Sequence, residues 1–180
     1  RAEFCWYKQN VVGRKTAWRS YQLCSNPICR RNHEYILVWS KGDWRLDGDS
    51  ELSDMTAKEF QEWTISTWHV QPETRNRNNH PAPFPEELAK RVIKLFSYRG
   101  NTVLDPFMGT GTTGVVCKTY GRNYIGIDNS QSDVEYARNR ISSVNFLFDT
   151  YVPRSKTMEI EKLNKKDEEL DIQQGCHNGI

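Results

Sequence analysis

The stretch Val103-Leu104-Asp105-Pro106-Phe107-Met108-Gly109-Thr110-Gly111-Thr112-Thr113-Gly114 places an acid and three glycines between apolar residues. Such residues at a strand-to-helix turn can hold a ligand. Glycine lets backbone approach closely, and the next helix begins with N–H groups that have no partner inside the helix. A second acid, Asp128, closes the apolar run Tyr124-Ile125-Gly126-Ile127. It follows the turn at about the 20-residue distance where a carboxylate takes ribose hydroxyls. A nucleotide-triphosphate loop would need a lysine after the glycines, and none follows. A dinucleotide fingerprint, GxGxxG, is matched by Gly109, Gly111 and Gly114, but Asp105 would set a like charge against the pyrophosphate. A ligand with a cationic end, such as the amino-acid group of S-adenosylmethionine, suits Asp105 better than NAD. A tight turn with no ligand would use the same glycines.

The residues around this turn predict the elements that position it. Thr102–Leu104 reads as a buried strand and Asp105–Gly114 as the turn. A helix from about Thr112 to Tyr120 ends at Gly121, a natural C′ residue. Tyr124–Asp128 reads as a second buried strand, and Ser130 caps a helix running to about Ile141. Strand, helix, strand, helix with short links is the signature of a parallel βαβ unit. Upstream, Pro85 opens a helix to about Ser97 with Leu88, Val92, Ile93 and Phe96 on one face. In the N-terminal part, Phe4–Lys8, His33–Ser40 and Thr64–Val70 read as strands. Residues 55–63 form a short acidic helix with Ser53 or Asp54 as its N-cap. Residues 9–32 read as a long polar loop and 71–79 as a connector, and the charged segment 151–180 predicts a short helix and a mobile tail.

The 180 residues suffice for one domain or slightly more, and 12% aromatics exclude a mainly disordered chain. The longest apolar runs, such as Tyr35–Trp39, fall far short of the roughly 18 residues that span a membrane. The start, Arg1-Ala2-Glu3-Phe4-Cys5-Trp6, is not a signal peptide, and its lack of Met leaves a fragment, a processed piece or a chain without its start as readings. Five scattered cysteines without a CxxC pair favour reduced thiols in a cytoplasmic protein over a disulfide framework, and no metal site is expected. The N-terminal 45 residues are cationic, whereas Asp47, Asp49, Glu51, Asp54, Glu59 and Glu62 face only Lys58 in the next stretch. A basic block interleaved with Trp6, Tyr7, Trp18 and Tyr21 suits a polyanion, and an ordinary solvated face is the alternative.

Three segments together resemble the DNA amino-methyltransferases, the bacterial, archaeal and phage enzymes that methylate adenine N6 or cytosine N4. They are His80-Pro81-Ala82-Pro83-Phe84-Pro85-Glu86-Glu87-Leu88, Leu104 to Thr113, and Gly121-Arg122-Asn123-Tyr124-Ile125-Gly126-Ile127-Asp128. Their order resembles the permuted group, whose cofactor motifs lie C-terminal to the catalytic one. His33–Lys41 is similar to that family's strand after the catalytic region, so the likeness covers about residues 33–142. The resemblance implies an α/β fold: a Rossmann-like, S-adenosylmethionine-dependent methyltransferase sheet with a loop-rich DNA-recognition insertion. It assigns the cofactor S-adenosyl-L-methionine to Asp105, Pro106, Phe107, Gly109, Thr110, Gly111, Thr112 and Thr113, with Asp128 on the ribose and His80, Pro81, Ala82 and Phe84 covering it. Arg14, Lys15, Arg19, Arg30 and Arg31 are the DNA-binding candidates on double-stranded DNA.

The family's catalytic motif, an Asp, Ser or Asn followed by two prolines and an aromatic, does not occur: Pro27, Pro72, Pro81, Pro83, Pro85, Pro106 and Pro153 are all single. In the permuted order it would precede Arg1. In the family's sheet its strands lie between the cofactor strands and the late strands, so the sheet is expected to be incomplete in this chain. Unpaired strand edges are costly. A second polypeptide or a missing N-terminal segment is therefore expected to supply the middle. The expected division is late strands and basic loop over 1–41, a target-recognition segment over 42–78, the cofactor-binding βαβ region over 79–150, and a tail over 151–180. The implied activity is site-specific methylation of an exocyclic amine in a restriction-modification setting, with the HPxxFP form leaning to cytosine N4. A non-catalytic subunit binding S-adenosylmethionine and DNA, and a methyltransferase acting on RNA, are the alternatives.

Overall fold

The computed structural model describes residues 2–8, 24–25, 31–73 and 84–144. Strands β1 (Ala2–Tyr7) and β2 (His33–Val38) run antiparallel, with Phe4 opposite Ile36 and Trp6 opposite Glu34. After helix α1 (Ala57–Trp63), strand β3 (Thr67–His69) pairs in parallel on the other side of β1, giving the order β2-β1-β3. Helix α2 (Glu86–Phe96) leads to β4 (Thr102–Asp105), α3 (Thr112–Thr119), β5 (Asn123–Gly126) and α4 (Gln131–Ser142). β4 and β5 form a second, parallel pair with Thr102 opposite Asn123 and Asp105 opposite Gly126. The expected βαβ unit is therefore present. Among the described residues the strands fall into two sheets, of three and two strands.

Helix α2 serves two cores at once. Leu88 belongs to a cluster with Phe4, Trp6, Trp68 and Val70, while Ala89 and Ile93 join Val116 and Cys117. Residues three and four apart share a helix face, and adjacent ones diverge, so one helix can hold both sheets. Phe4 and Trp68 stack with ring centroids 4.4 Å apart. Both indole N–H groups in this core have acceptors: Trp6 donates to the Val70 carbonyl at 2.8 Å and Trp68 to the Trp63 carbonyl at 3.0 Å. A buried tryptophan keeps its stability only when that N–H is satisfied.

Two polar networks tie residues 54–63 to the rest of the described chain, one to the βαβ unit and one to α2. The Arg122 side chain is fully buried; it donates to both Asp54 carboxylate oxygens at 2.7 and 2.8 Å and to the Ser97 and Tyr120 carbonyls at 2.7 Å each. Its Nε reaches Ser97 Oγ at 3.2 Å. Glu59 on α1 accepts from Lys94 Nζ at 2.7 Å and lies 3.4 Å from Lys90 Nζ, both on α2. Buried Trp63 packs below the Lys90 and Lys94 ammonium groups.

Several details correct the expectations. The cap of α1 is Thr56, not Ser53 or Asp54. Its hydroxyl accepts from Glu59 N while the Glu59 carboxylate accepts from Thr56 N, a reciprocal capping box. Asp54 is instead committed to Arg122. The two strands expected to be buried are covered on one face only: Leu104 is 58% exposed, and Ile125 and Ile127 are also exposed. An apolar run suggests burial on both faces, but among the described residues α2 and α3 pack against one face of β4 and β5, through Val103 and Tyr124. Pro85 is the N-cap of α2 rather than a residue of its first turn, and its carbonyl accepts from Leu88 N. Gly121 (φ 73°) follows α3 as expected, and Ser130 caps α4 through Asp133 N. No helix among the described residues is long and apolar enough to cross a membrane.

Candidate functional site

The turn after β4 is built from two left-handed glycines, Gly109 (φ 48°) and Gly111 (φ 77°), with Thr110 between them. Side-chain-bearing residues rarely adopt that backbone region, so the turn requires glycine. Gly111 is the N-cap of α3 and supplies no capping side chain. Asp105, at the end of β4, accepts from Phe107 N at 3.1 Å. Phe107 then projects from the turn, 87% exposed. An aromatic ring that far into solvent, beside an acid and an uncapped helix N-terminus, gives three kinds of contact within one turn: apolar, anionic and N–H donating.

The loop after β5 is stitched to this turn by backbone bonds from Ile127 N to the Asp105 carbonyl (2.9 Å) and from Met108 N to the Ile127 carbonyl (3.0 Å). Asp128 adds a side-chain clamp: one carboxylate oxygen accepts from Gly109 N and the other from Ser130 N, both at 2.9 Å. The two acids are therefore brought to one side of the βαβ unit, beyond the C-terminal ends of β4 and β5, where open parallel sheets bind ligands. Asp128 builds the turn as well as facing it, a role its sequence position did not reveal.

The glycines have unequal parts. A Cβ on Gly111 would lie 2.8 Å from Ala137 Cβ, and one on Gly114 would lie 2.4 Å from Ile141 Cδ1 and 2.6 Å from Tyr124 Cε1. These two let α4 and Tyr124 pack against α3, the helix-packing duty of such motifs. Tyr124, which the sequence marks only as part of a buried strand, ends in a buried hydroxyl with no hydrogen-bond partner among the described residues, beside Gly126 and Met108. Burial pushes its pKa up, with the Asp105 charge adding to the shift. Burial likewise pushes the Cys117 thiol up to about 12, so this cysteine stays protonated at neutral pH and is inert as a nucleophile.

Of the other site residues expected from sequence, Thr110 and Thr112 are buried, Thr113 is half-buried, and Pro106 and Phe84 are exposed. Phe84 and Pro85 lead directly into α2. His80, Pro81 and Ala82 lie outside the described residues, as do Arg14, Lys15, Arg19 and Arg30; Arg31 is described and exposed. Arg140 is a residue at the turn that sequence reading did not single out. It reaches the turn from α4, with Nη1 3.2 Å from both the Thr110 carbonyl and Thr112 Oγ1.

Comparison with known proteins gives the family and the fold. Residues 2–139 match the family model for N6/N4 DNA methylases. The chain is 29% identical over 178 residues to the type II methyltransferase M.BglI of Bacillus subtilis, covering 92% of this chain and 48% of that protein. It is 34% identical over 138 residues to the type II methyltransferase M2.DpnII of Streptococcus pneumoniae, covering 71% and 50%. Among solved structures, a DNA modification methylase of Thermus thermophilus complexed with S-adenosyl-L-methionine superposes with a TM-score of 0.61 at 27% identity, over 79% of this chain and 52% of that one. The cytosine-N4-specific PvuII DNA methyltransferase shares the fold at 17% identity with a TM-score of 0.52. The chain spans about half the length of each of these relatives.

Proposed function

The chain belongs to the N6/N4 DNA methylase family, and we propose from that premise that it supplies the cofactor-binding region and part of the DNA-recognition region of a site-specific DNA amino-methyltransferase. The observation that carries this reading is the glycine turn clamped to Asp128 across the ends of two adjacent parallel strands. Its residues fit S-adenosyl-L-methionine. Asp105 suits the ammonium of the methionyl end, the uncapped first turn of α3 suits its carboxylate, and exposed Phe107 suits an apolar contact. Asp128 is assigned to the ribose, since a carboxylate can accept hydrogen bonds beyond the two it takes from backbone. His80, Pro81, Ala82 and Phe84 are assigned to cover the cofactor on the side opposite the glycine turn. The cofactor supplies a methyl group activated on a sulfonium. This chain's residues bind it, orient it and hold the turn rigid.

The target is an exocyclic amine of a base turned out of double-stranded DNA. The HPxxFP segment His80–Pro85 leans the assignment to cytosine N4 over adenine N6. Arg14, Lys15, Arg19, Arg30 and Arg31 are assigned mainly to phosphates. The order of motifs is that of the permuted group, and the group that accepts hydrogen bonds from the target amine comes from a segment N-terminal to these residues or from a second polypeptide. The division into two sheets supports this: strands joining β2-β1-β3 to β4-β5 would pair edges that are open among the described residues.

Equilibrium dialysis with radiolabelled S-adenosylmethionine, NAD and ATP tests the cofactor assignment. Retention of S-adenosylmethionine and displacement by S-adenosylhomocysteine are expected. Retention of NAD instead would overturn it.

A further inference from the structure

We propose that Arg140 is a positioning residue for the cofactor turn, one guanidinium coupling the glycine loop to the start of α2. This rests on the S-adenosylmethionine reading above. The fork touches three elements. Nη1 serves the Thr110 carbonyl and Thr112 Oγ1 at 3.2 Å each, and Nη2 donates to Glu86 Oε1 at 2.6 Å. Thr110 lies between the two left-handed glycines, and the bond from Val115 N to the Gly111 carbonyl begins one residue later. The Thr110 carbonyl is therefore at the edge of the α3 ladder, and Arg140 fixes its direction. Glu86 is the first residue of α2, two positions after Phe84. The glycine turn and the first residue of α2 are thus held by one planar group. A lysine, with its compact charge, cannot reproduce that span.

For stability alone the placement is divided: a cation beside the start of α3 opposes that dipole, while the last turn of α4 favours one, and the Glu86 carboxylate is about half exposed, so the ion pair itself is weak. What the fork adds is geometry: Ala137, one turn earlier on α4, packs against Gly111, so α4 sets the turn by contact at one point and by hydrogen bonds at the next.

The test compares wild type, Arg140→Gln, Arg140→Lys and Glu86→Gln, each expressed with the polypeptide segment that completes the sheet. Calorimetry gives the Kd for S-adenosylmethionine and a thermal melt gives Tm. Arg140→Gln is expected to raise Kd about tenfold, the scale of one charge-assisted hydrogen bond, with little change in Tm. Arg140→Lys should recover part of this. Glu86→Gln, which spares the turn contacts and weakens the link to α2, should raise Kd by a smaller factor and provides the reading if Arg140→Gln does not fold. A fall in Tm with Kd unchanged in the folded variants would mean a purely structural arginine and overturn the proposal. No binding by the wild-type protein would overturn the cofactor reading itself, and this inference with it.

Discussion

The backbone N–H of Gly109 donates to the Asp128 carboxylate at 2.9 Å, joining two loops that are 19 residues apart in sequence. The bond fixes the glycine turn just where the second strand ends, so the acid assigned to a ribose is also part of the frame that holds the turn. In that assignment frame and ligand contact share one side chain, and a substitution there acts on both.

Asp128→Asn is expected to weaken S-adenosylmethionine binding about 10- to 100-fold, since an amide offers one acceptor oxygen where Gly109 N and Ser130 N now use two. One of these N–H groups would then face an NH2. Calorimetry gives the affinity, and an unchanged Kd would remove Asp128 from the site.

Asp54→Ala leaves the buried Arg122 guanidinium without its carboxylate and is expected to cost about 3 kcal/mol or more. For a chain of this size that corresponds to a Tm lower by about 6–12 °C. Asp54→Ala with Arg122→Met should be less damaging than Asp54→Ala alone, because the stranded charge is gone. Thermal melts of the three variants check both statements.

Glu59 gives a pH dependence. Burial alone would raise its pKa, but the hydrogen bond from Lys94, the Thr56 N–H and the charges of Lys94 and Lys90 outweigh that and hold it below the ordinary 4.5. A depressed carboxyl contributes stability that is complete above the unfolded value and is lost as pH falls through the folded one. Glu59→Gln should therefore be less stable than wild type at pH 7, and the difference should shrink below about pH 4. Urea midpoints at the two pH values measure it.

Replacing Arg14, Lys15, Arg19, Arg30 and Arg31 together should weaken DNA binding and flatten its salt dependence, by about 0.9 in the log–log slope for each phosphate contact removed. Fluorescence anisotropy across a salt series reads the slope. An unchanged slope would move the DNA surface elsewhere on the molecule.

The turn, the βαβ order and the caps at Gly121 and Ser130 were legible in the sequence because each is set by residues within a few positions of one another. The contacts that lock them together were not. Asp54 and Arg122 stand 68 positions apart, and Glu86 and Arg140 stand 54 apart; neither pair has a spacing that local periodicity can register. Leu104, Ile125 and Ile127 read as buried because they are apolar, yet burial also needs a neighbouring layer, which the pattern within one strand does not register.

Transfer of tritium from S-adenosyl-[methyl-3H]methionine to double-stranded DNA is the direct test of the central claim, performed with the chain alone and with the upstream-encoded polypeptide or longer N-terminal segment added. Incorporation into an exocyclic amine is predicted only when the added segment is present. Incorporation by the chain alone would contradict the proposed division of the site, and none in either sample would contradict its assignment to DNA methylation.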